Sequence, residues 1–293
     1  MSTAPIDSLV SPAWLADHLA HDDDLVVVDA RVAFNAAGAV AAREAYEAGH
    51  IPGAVFADLP GELCDPTGRI AFAMPEPEAF CAAMGRLGVG DGTRVVLYDA
   101  RQRAAGRSFA SIWAARVWWM LRWVGFDRAA LLDGGFDAWV DAGLPVEQGD
   151  ERTTPRRLTP RPQPARIADR DEVLAAIERD DVTLVDTLDA DHFAGRTSMY
   201  PRPGHITRAV NRPVFDLYDD TGRFLPTAQL AASFADLGSG RVIAYCGGGI
   251  AASATAFAMT RAGLHDVAVY TASLQEWAAD GANPMEADGE LGA

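Results

Sequence analysis

The sequence predicts an α/β protein made of two tandem domains, each a mainly parallel sheet flanked by helices. Three observations carry this: one long unit occurs twice, each copy alternates short apolar strands with helical stretches, and a proline- and arginine-rich segment separates the copies. A unit of this length seen only twice is a duplicated domain, whereas a solenoid needs many short units. The 293 residues divide into 1–150, a connector over 151–167, and 168–293.

In the first copy, Trp14 to Leu19 has helical spacing. Asp22-Asp23-Asp24 then leads into Leu25-Val26-Val27-Val28-Asp29-Ala30-Arg31, an apolar run of strand length. The order returns in the second copy as a helical Val173 to Ile177, then Asp180-Asp181, then the strand Val182-Thr183-Leu184-Val185-Asp186-Thr187. Next come Gly49-His50-Ile51 against Gly204-His205-Ile206, and the strand Arg94 to Asp99 against Arg241 to Cys246. His50, His205, Asp29 and Asp186 recur in both copies and are read as structural: the histidines brace a turn and the aspartates a loop at a strand end. Between the copies, Glu151 to Ala165 carries four prolines and four arginines without apolar periodicity, as a solvated, proline-stiffened connector does.

Composition narrows the function. With 49% hydrophobic and 23% charged residues the chain is globular, and its net charge of −16 disfavours nucleic acid and anionic membrane surfaces as partners. The N-terminal residues show no basic segment followed by an apolar core, and no apolar run approaches a membrane span, so a cytoplasmic protein is expected. Cys64, Cys81 and Cys246 are an odd number without a CxxC pair, which argues against both a disulfide framework and a zinc site.

The chemistry concentrates at Cys246. Arg241 to Tyr245 reads as a buried strand and Ile250 to Ala262 as a helix, so Cys246 falls at a strand-to-helix turn, followed by Gly247, Gly248 and Gly249. The glycines are expected to let the backbone curl, aiming the N–H groups of Gly247, Gly248, Gly249, Ile250, Ala251 and Ala252, with the positive end of the helix dipole, at one point. A cysteine held there is expected to act as a thiolate nucleophile. A cysteine-dependent phosphatase would need an arginine six positions on to clamp phosphoryl oxygens, and that position is Ala252. In the first copy the position equivalent to Cys246 is Asp99, so that half has no nucleophile.

Cys246-Gly247-Gly248-Gly249-Ile250-Ala251-Ala252-Ser253 resembles the active-site loop of the rhodanese family, in particular the CG-x-G-x-x-A loop of its 3-mercaptopyruvate branch. Arg116 to Arg122 and Leu131 to Trp139 resemble the N-terminal domain of two-domain members, so the resemblance covers nearly the whole chain. It implies a sulfurtransferase that moves sulfur from a small donor, 3-mercaptopyruvate or thiosulfate, through a Cys246 persulfide. The acceptor would be cyanide or a thiol, the latter a thioredoxin-like protein or a small dithiol, with no metal or organic cofactor. The family's carboxylate-binding arginines map onto Arg202 and onto His192, with Arg196 a possible replacement for the latter. Two helper groups of the 3-mercaptopyruvate enzymes are missing: Gly248 stands where they carry serine and Phe72 where they carry histidine. The thiosulfate branch has basic loop residues, whereas Gly247 to Ser253 has no charge, which leans toward 3-mercaptopyruvate. A catalytically idle module of the same fold is the alternative.

Overall fold

The computed structural model describes residues 7–33, 38–104 and 106–287; residues 1–6, among those read above for a leader, lie outside it. Two compact units are present. One takes the described residues up to Gly68, Met74–Pro162 and Asp220–Arg223; the other takes Arg69–Ala73, Gln163–Asp219 and the described residues from Phe224 onward.

In the first unit the strands are β1 (Leu9–Val10), β2 (Leu25–Asp29), β3 (Val55–Phe56), β4 (Arg94–Tyr98), β5 (Gln102–Ala104), β6 (Arg107–Phe109) and β7 (Ala129–Leu132). Its helices are α1 (Pro12–Leu19), α2 (Gly38–Ala48), α3 (Pro77–Arg86), α4 (Ile112–Trp123) and α5 (Gly135–Asp141). Five strands form a parallel sheet in the order β1-β7-β4-β2-β3, while β5 and β6 make a separate hairpin. Helix α1 starts where Ser11 accepts the Trp14 N–H on its hydroxyl and Pro12 supplies a preset φ.

The second unit repeats the plan with β8 (Ile167–Ala168), β9 (Val182–Asp186), β10 (His205–Ile206), β11 (Val210–Asn211), β12 (Arg241–Tyr245), β13 (Val267–Tyr270) and β14 (Met285–Glu286). Its helices are α6 (Arg170–Ile177), α7 (Ala190–Phe193), α8 (Thr227–Ser233), α9 (Ile250–Arg261) and α10 (Ser273–Trp277). The parallel order β8-β13-β12-β9-β11 matches the first sheet strand for strand. Even the registers agree: Leu25 faces Arg94 and Asp29 faces Tyr98, as Val182 faces Arg241 and Asp186 faces Tyr245. Strands buried on both faces must read as continuous apolar runs, which is why both pairs were visible in the sequence.

The repeat extends to side chains. Trp139 and Trp277, both fully buried, each donate the indole N–H to a proline carbonyl, Pro145 at 2.7 Å and Pro284 at 3.0 Å. His50 and His205 each place Nδ1 on a carbonyl four or twelve residues back, Tyr46 at 3.0 Å and Phe193 at 2.7 Å, and stack on those same residues' rings. One difference bears on charge. Buried Asp29 is clamped by buried Arg31, Nη2 to Oδ2 at 2.6 Å, but Leu188 stands in the corresponding place beside Asp186.

Residues 151–162 have no regular secondary structure and run along the first unit. Arg156 pairs with Asp24 at 2.9 Å and donates its main-chain N–H to Gly85, Thr159 bonds Asp91 at 2.7 Å, and Leu158 is buried.

Candidate active site

Cys246 directly follows the central strand of the second sheet, and the residue is 3% exposed. Its thiol accepts the Gly249 N–H at 3.1 Å, and its own N–H donates to Ser273 Oγ at 3.1 Å. That hydroxyl donates onward to the Tyr270 carbonyl at 2.7 Å. Ser273 takes φ +54°, a left-handed conformation that a non-glycine residue adopts only when its surroundings fix it. Two more main-chain bonds clip the loop to the start of α10, from Leu274 N–H to the Cys246 carbonyl at 3.1 Å and from Gln275 N–H to the Gly247 carbonyl at 3.0 Å.

The loop bends at one glycine. Gly249, at φ +81°, is the residue before α9, and the first bond of that helix runs from Ser253 N–H to the Gly249 carbonyl. The N–H groups of Ile250, Ala251 and Ala252 precede that bond and face outward at the positive end of the dipole, as the first helical N–H groups do. The expectation that all three glycines supply curvature is corrected here, because Gly247 and Gly248 are not among the positive-φ residues. Their lack of a side chain answers a different need. A Cβ on Gly247 would overlap the Tyr200 hydroxyl, and one on Gly248 would overlap Gln275 Nε2.

Tyr200 and Gln275 are therefore the side chains brought against the loop, and neither was picked out by sequence reasoning. Burial first, then the charges of Cys246 and Asp186, push the Tyr200 phenol well above its ordinary range, so it stays an O–H donor. Gln275 accepts the Ala71 N–H on Oε1 at 2.8 Å, which leaves its amide N–H groups turned to Gly248, the place of the missing serine. Phe72, in the place of the missing histidine, belongs to the same short segment of the second unit and has φ +57°. Asp186 is fully buried, and burial pushes its carboxyl up to about 6 against the lowering effects of Leu188 N–H, Tyr245 and the histidines.

The three candidate substrate residues are engaged elsewhere. Arg202 spends its guanidinium on four main-chain carbonyls: Nε on Ala278 at 3.3 Å, Nη1 on Asn283 at 2.9 Å, and Nη2 on Trp277 at 3.1 Å and Asp280 at 2.6 Å. This corrects its reading as a carboxylate clamp: α10 ends there with unsatisfied carbonyls, and a planar five-donor group satisfies several at once. Arg196 pairs with Asp191 at 2.6 Å, and His192 Nδ1 lies 2.8 Å from Asp189 Oδ2 at the start of α7. The segment that contains them does reach the loop, but through Tyr200.

The first unit shows what the loop geometry accommodates. Asp99 directly follows β4 as Cys246 follows β12, and its carboxyl oxygens accept N–H groups from Ser111, from Trp113 at 2.8 Å and from Ala114 at 3.2 Å at the start of α4. Ser111 is the left-handed residue before the helix, φ +67°, as Gly249 is before α9. In sequence it lies twelve residues after Asp99 rather than three, with the β5–β6 hairpin in between. The first unit's helix start is thus occupied by a carboxyl group of its own chain.

Burial pushes the Asp99 carboxyl up to about 7, opposed by the Ser111, Ala114 and Trp113 N–H groups and reinforced by Asp29. The folded protein then keeps a proton that the unfolded chain releases near pH 4. The associated stability is complete below that pH and is lost as pH rises through 7, by about 4 kcal/mol at most. Asp99→Asn, neutral throughout, is expected to flatten this dependence in urea unfolding measured at pH 5 and pH 8. Parallel pH slopes in the two proteins would mean that the N–H donors keep Asp99 ionised.

Comparison with known proteins gives this architecture its family. The model of the rhodanese-like domain matches residues 11–142 and 169–280. The chain belongs to the rhodanese family. This rhodanese is 33% identical over 288 residues to a probable 3-mercaptopyruvate sulfurtransferase of Pseudomonas aeruginosa, covering 94% of this chain and 97% of that one. It is 32% identical over 283 residues to a thiosulfate sulfurtransferase of Mus musculus, covering 92% and 91%. Among solved structures it superposes on SseA from Escherichia coli, described with the catalytic mechanism of 3-mercaptopyruvate sulfotransferases, with a TM-score of 0.79, 29% identity and coverage of 92% and 99%. The rhodanese is accordingly a sulfurtransferase. Near-equal identity to relatives named for two donors leaves the donor to the chemistry of the site. Among the described residues no helix is long and apolar enough to cross a membrane.

Proposed function

We propose that Cys246 takes a sulfane sulfur from 3-mercaptopyruvate, holds it as a persulfide, and hands it to a thiol or to cyanide. In the first half-reaction the Cys246 thiolate attacks the donor sulfur and the carbon–sulfur bond breaks. The bonding pair stays on carbon as the pyruvate enolate, and the sulfur stays on Cys246. The enolate then takes a proton and leaves as pyruvate. In the second half-reaction an acceptor thiolate, from a thioredoxin-like protein or a small dithiol, attacks the outer sulfur, and the electron pair of the S–S bond returns to Cys246. Cyanide reacts in the same way to give thiocyanate.

The observation that carries the choice of donor is the hydroxyl of Tyr200 against Gly247. A leaving enolate is stabilised by a hydrogen bond to its oxygen, and the Tyr200 phenol, kept protonated by a pKa raised above its ordinary range, can donate one. Sulfite leaving from thiosulfate is a stable anion and gains little from such a donor. The N–H groups of Gly247, Gly248, Gly249, Ile250, Ala251 and Ala252, with the Gln275 amide, form the cradle for the persulfide anion, set in place before charge arrives. In this reading catalysis belongs to 168–293, with 151–167 as connector and 1–150 as a half whose anion site Asp99 fills. Three unpaired thiols suit a reducing compartment, and the proposed location is the cytoplasm.

Mass spectrometry tests the persulfide directly. After exposure to 3-mercaptopyruvate the chain is expected to gain one sulfur, on the peptide that contains Cys246, and to lose it to cyanide. An adduct confined to Cys64 or Cys81 would overturn the assignment, and no adduct from any donor would favour an idle module of the same fold.

A further inference from the structure

The repeated histidine is held alike in both units, but the carboxylates around it differ. His205 Nε2 lies 3.6 Å from one carboxylate, Glu286 Oε2. Around His50 there are two: His50, Glu147 and Glu151 each bring a ligand atom, and all three atoms lie within 4.8 Å of one another. We propose that His50, Glu147 and Glu151 form a binding site for one divalent cation of the zinc class.

Three features support it. His50 is fully buried, and its Nε2 makes no hydrogen bond. Since Nδ1 sits 3.0 Å from the Tyr46 carbonyl, Nδ1 carries the proton and Nε2 presents a lone pair. A buried acceptor without a donor is costly, and a metal on that nitrogen would satisfy it, with the other ring nitrogen on a carbonyl as metal-bound histidines have it. Second, the ligands are placed by backbone. His50 and Glu147 exchange both main-chain hydrogen bonds at 2.9 Å, and Glu151 donates its N–H to the Tyr46 hydroxyl at 3.1 Å while Tyr46 stacks on His50 at 4.3 Å. The Gly53 N–H holds Glu147 Oε2 at 3.0 Å, which orients that carboxylate. Third, one nitrogen and two carboxylate oxygens suit zinc, whose bonds of about 2.1 Å set donors roughly 3.4 Å apart in a tetrahedron. Closing from the observed spread takes about 1.4 Å at most, a movement that the rotamers of exposed Glu147 and partly buried Glu151 supply. A cation there would tie the first residue of the connector to the turn, and it takes no part in the chemistry at Cys246.

Titration calorimetry of the full chain with zinc chloride, under a non-chelating phosphine reductant, tests the site. One saturable site per chain is expected, retained in Cys246→Ser and weakened at least tenfold in both Glu147→Gln and Glu151→Gln. Zinc should also raise the melting temperature of the unmodified protein but not of Glu151→Gln, whose melting without zinc serves as the control for folding. The proposal fails if zinc binding is not saturable, if two equal sites appear, if either glutamine variant binds as tightly as the unmodified protein, or if Cys246→Ser removes the binding.

Discussion

Cys246→Ser is expected to abolish sulfur transfer from every donor, by roughly 10⁴-fold or more in kcat, because a serine hydroxyl is neither ionised near neutral pH nor able to carry a sulfane sulfur. Folding should survive, since a serine oxygen can accept the Gly249 N–H that the thiol accepts now. The other two thiols are poor substitutes. Burial pushes both Cys64 and Cys81 up to about 11, with Arg116 partly relieving the first and Glu78 and Asp91 adding to the second. Neither is a thiolate under working conditions. Single-turnover pyruvate release is the measurement. Retention of transfer in Cys246→Ser together with its loss in Cys64→Ser would move the site to the other unit.

The second large effect is at Tyr200. Tyr200→Phe keeps the ring and removes one hydroxyl, so a purely structural role predicts little change in rate. A hydrogen-bond donor to the leaving enolate oxygen predicts about a 10²-fold fall in kcat with 3-mercaptopyruvate, and a change of only a few-fold with thiosulfate. The same hydroxyl explains Gly247, which supplies a steric control. Gly247→Ala should damage activity in the unmodified protein and be better tolerated in Tyr200→Phe, where the atom that its Cβ would meet is gone. Equal losses with both donors in Tyr200→Phe would mean that this hydroxyl does not distinguish the donors, and the choice of 3-mercaptopyruvate would lose its support.

What the sequence disclosed, and what it did not, follows from the range of the interactions. Strands β2, β4, β9 and β12 were legible because burial on both faces forces unbroken apolar runs. Cys246 was legible because the strand, the turn and the helix start that frame it are contiguous. Gln275 was not: it reaches Gly248 from the far side of β13, and no local pattern marks a glutamine that will turn its amide to a loop 27 residues earlier. Arg202 misled for a related reason. Its charge suggested an anionic ligand, but the partners that claimed it are carbonyls at the end of α10, and a carbonyl leaves no trace in the side-chain alphabet. Gly247 and Gly248 were noticed for the right position and the wrong cause, since backbone freedom and clearance for a neighbour look identical in a string of letters.

The filled helix start of the first unit has a consequence for the resting state of the second. At α4 the electrostatic demand of the helix-start N–H groups is met throughout by carboxyl oxygens of the protein's own chain. At α9, on the proposed reaction, it would be met in full only while a persulfide is on board, and each turnover would empty it again. On that reading the sulfur-charged protein would be the relaxed partner of the pair and the empty one the strained partner. Such a molecule idles loaded, waiting for an acceptor rather than for a donor.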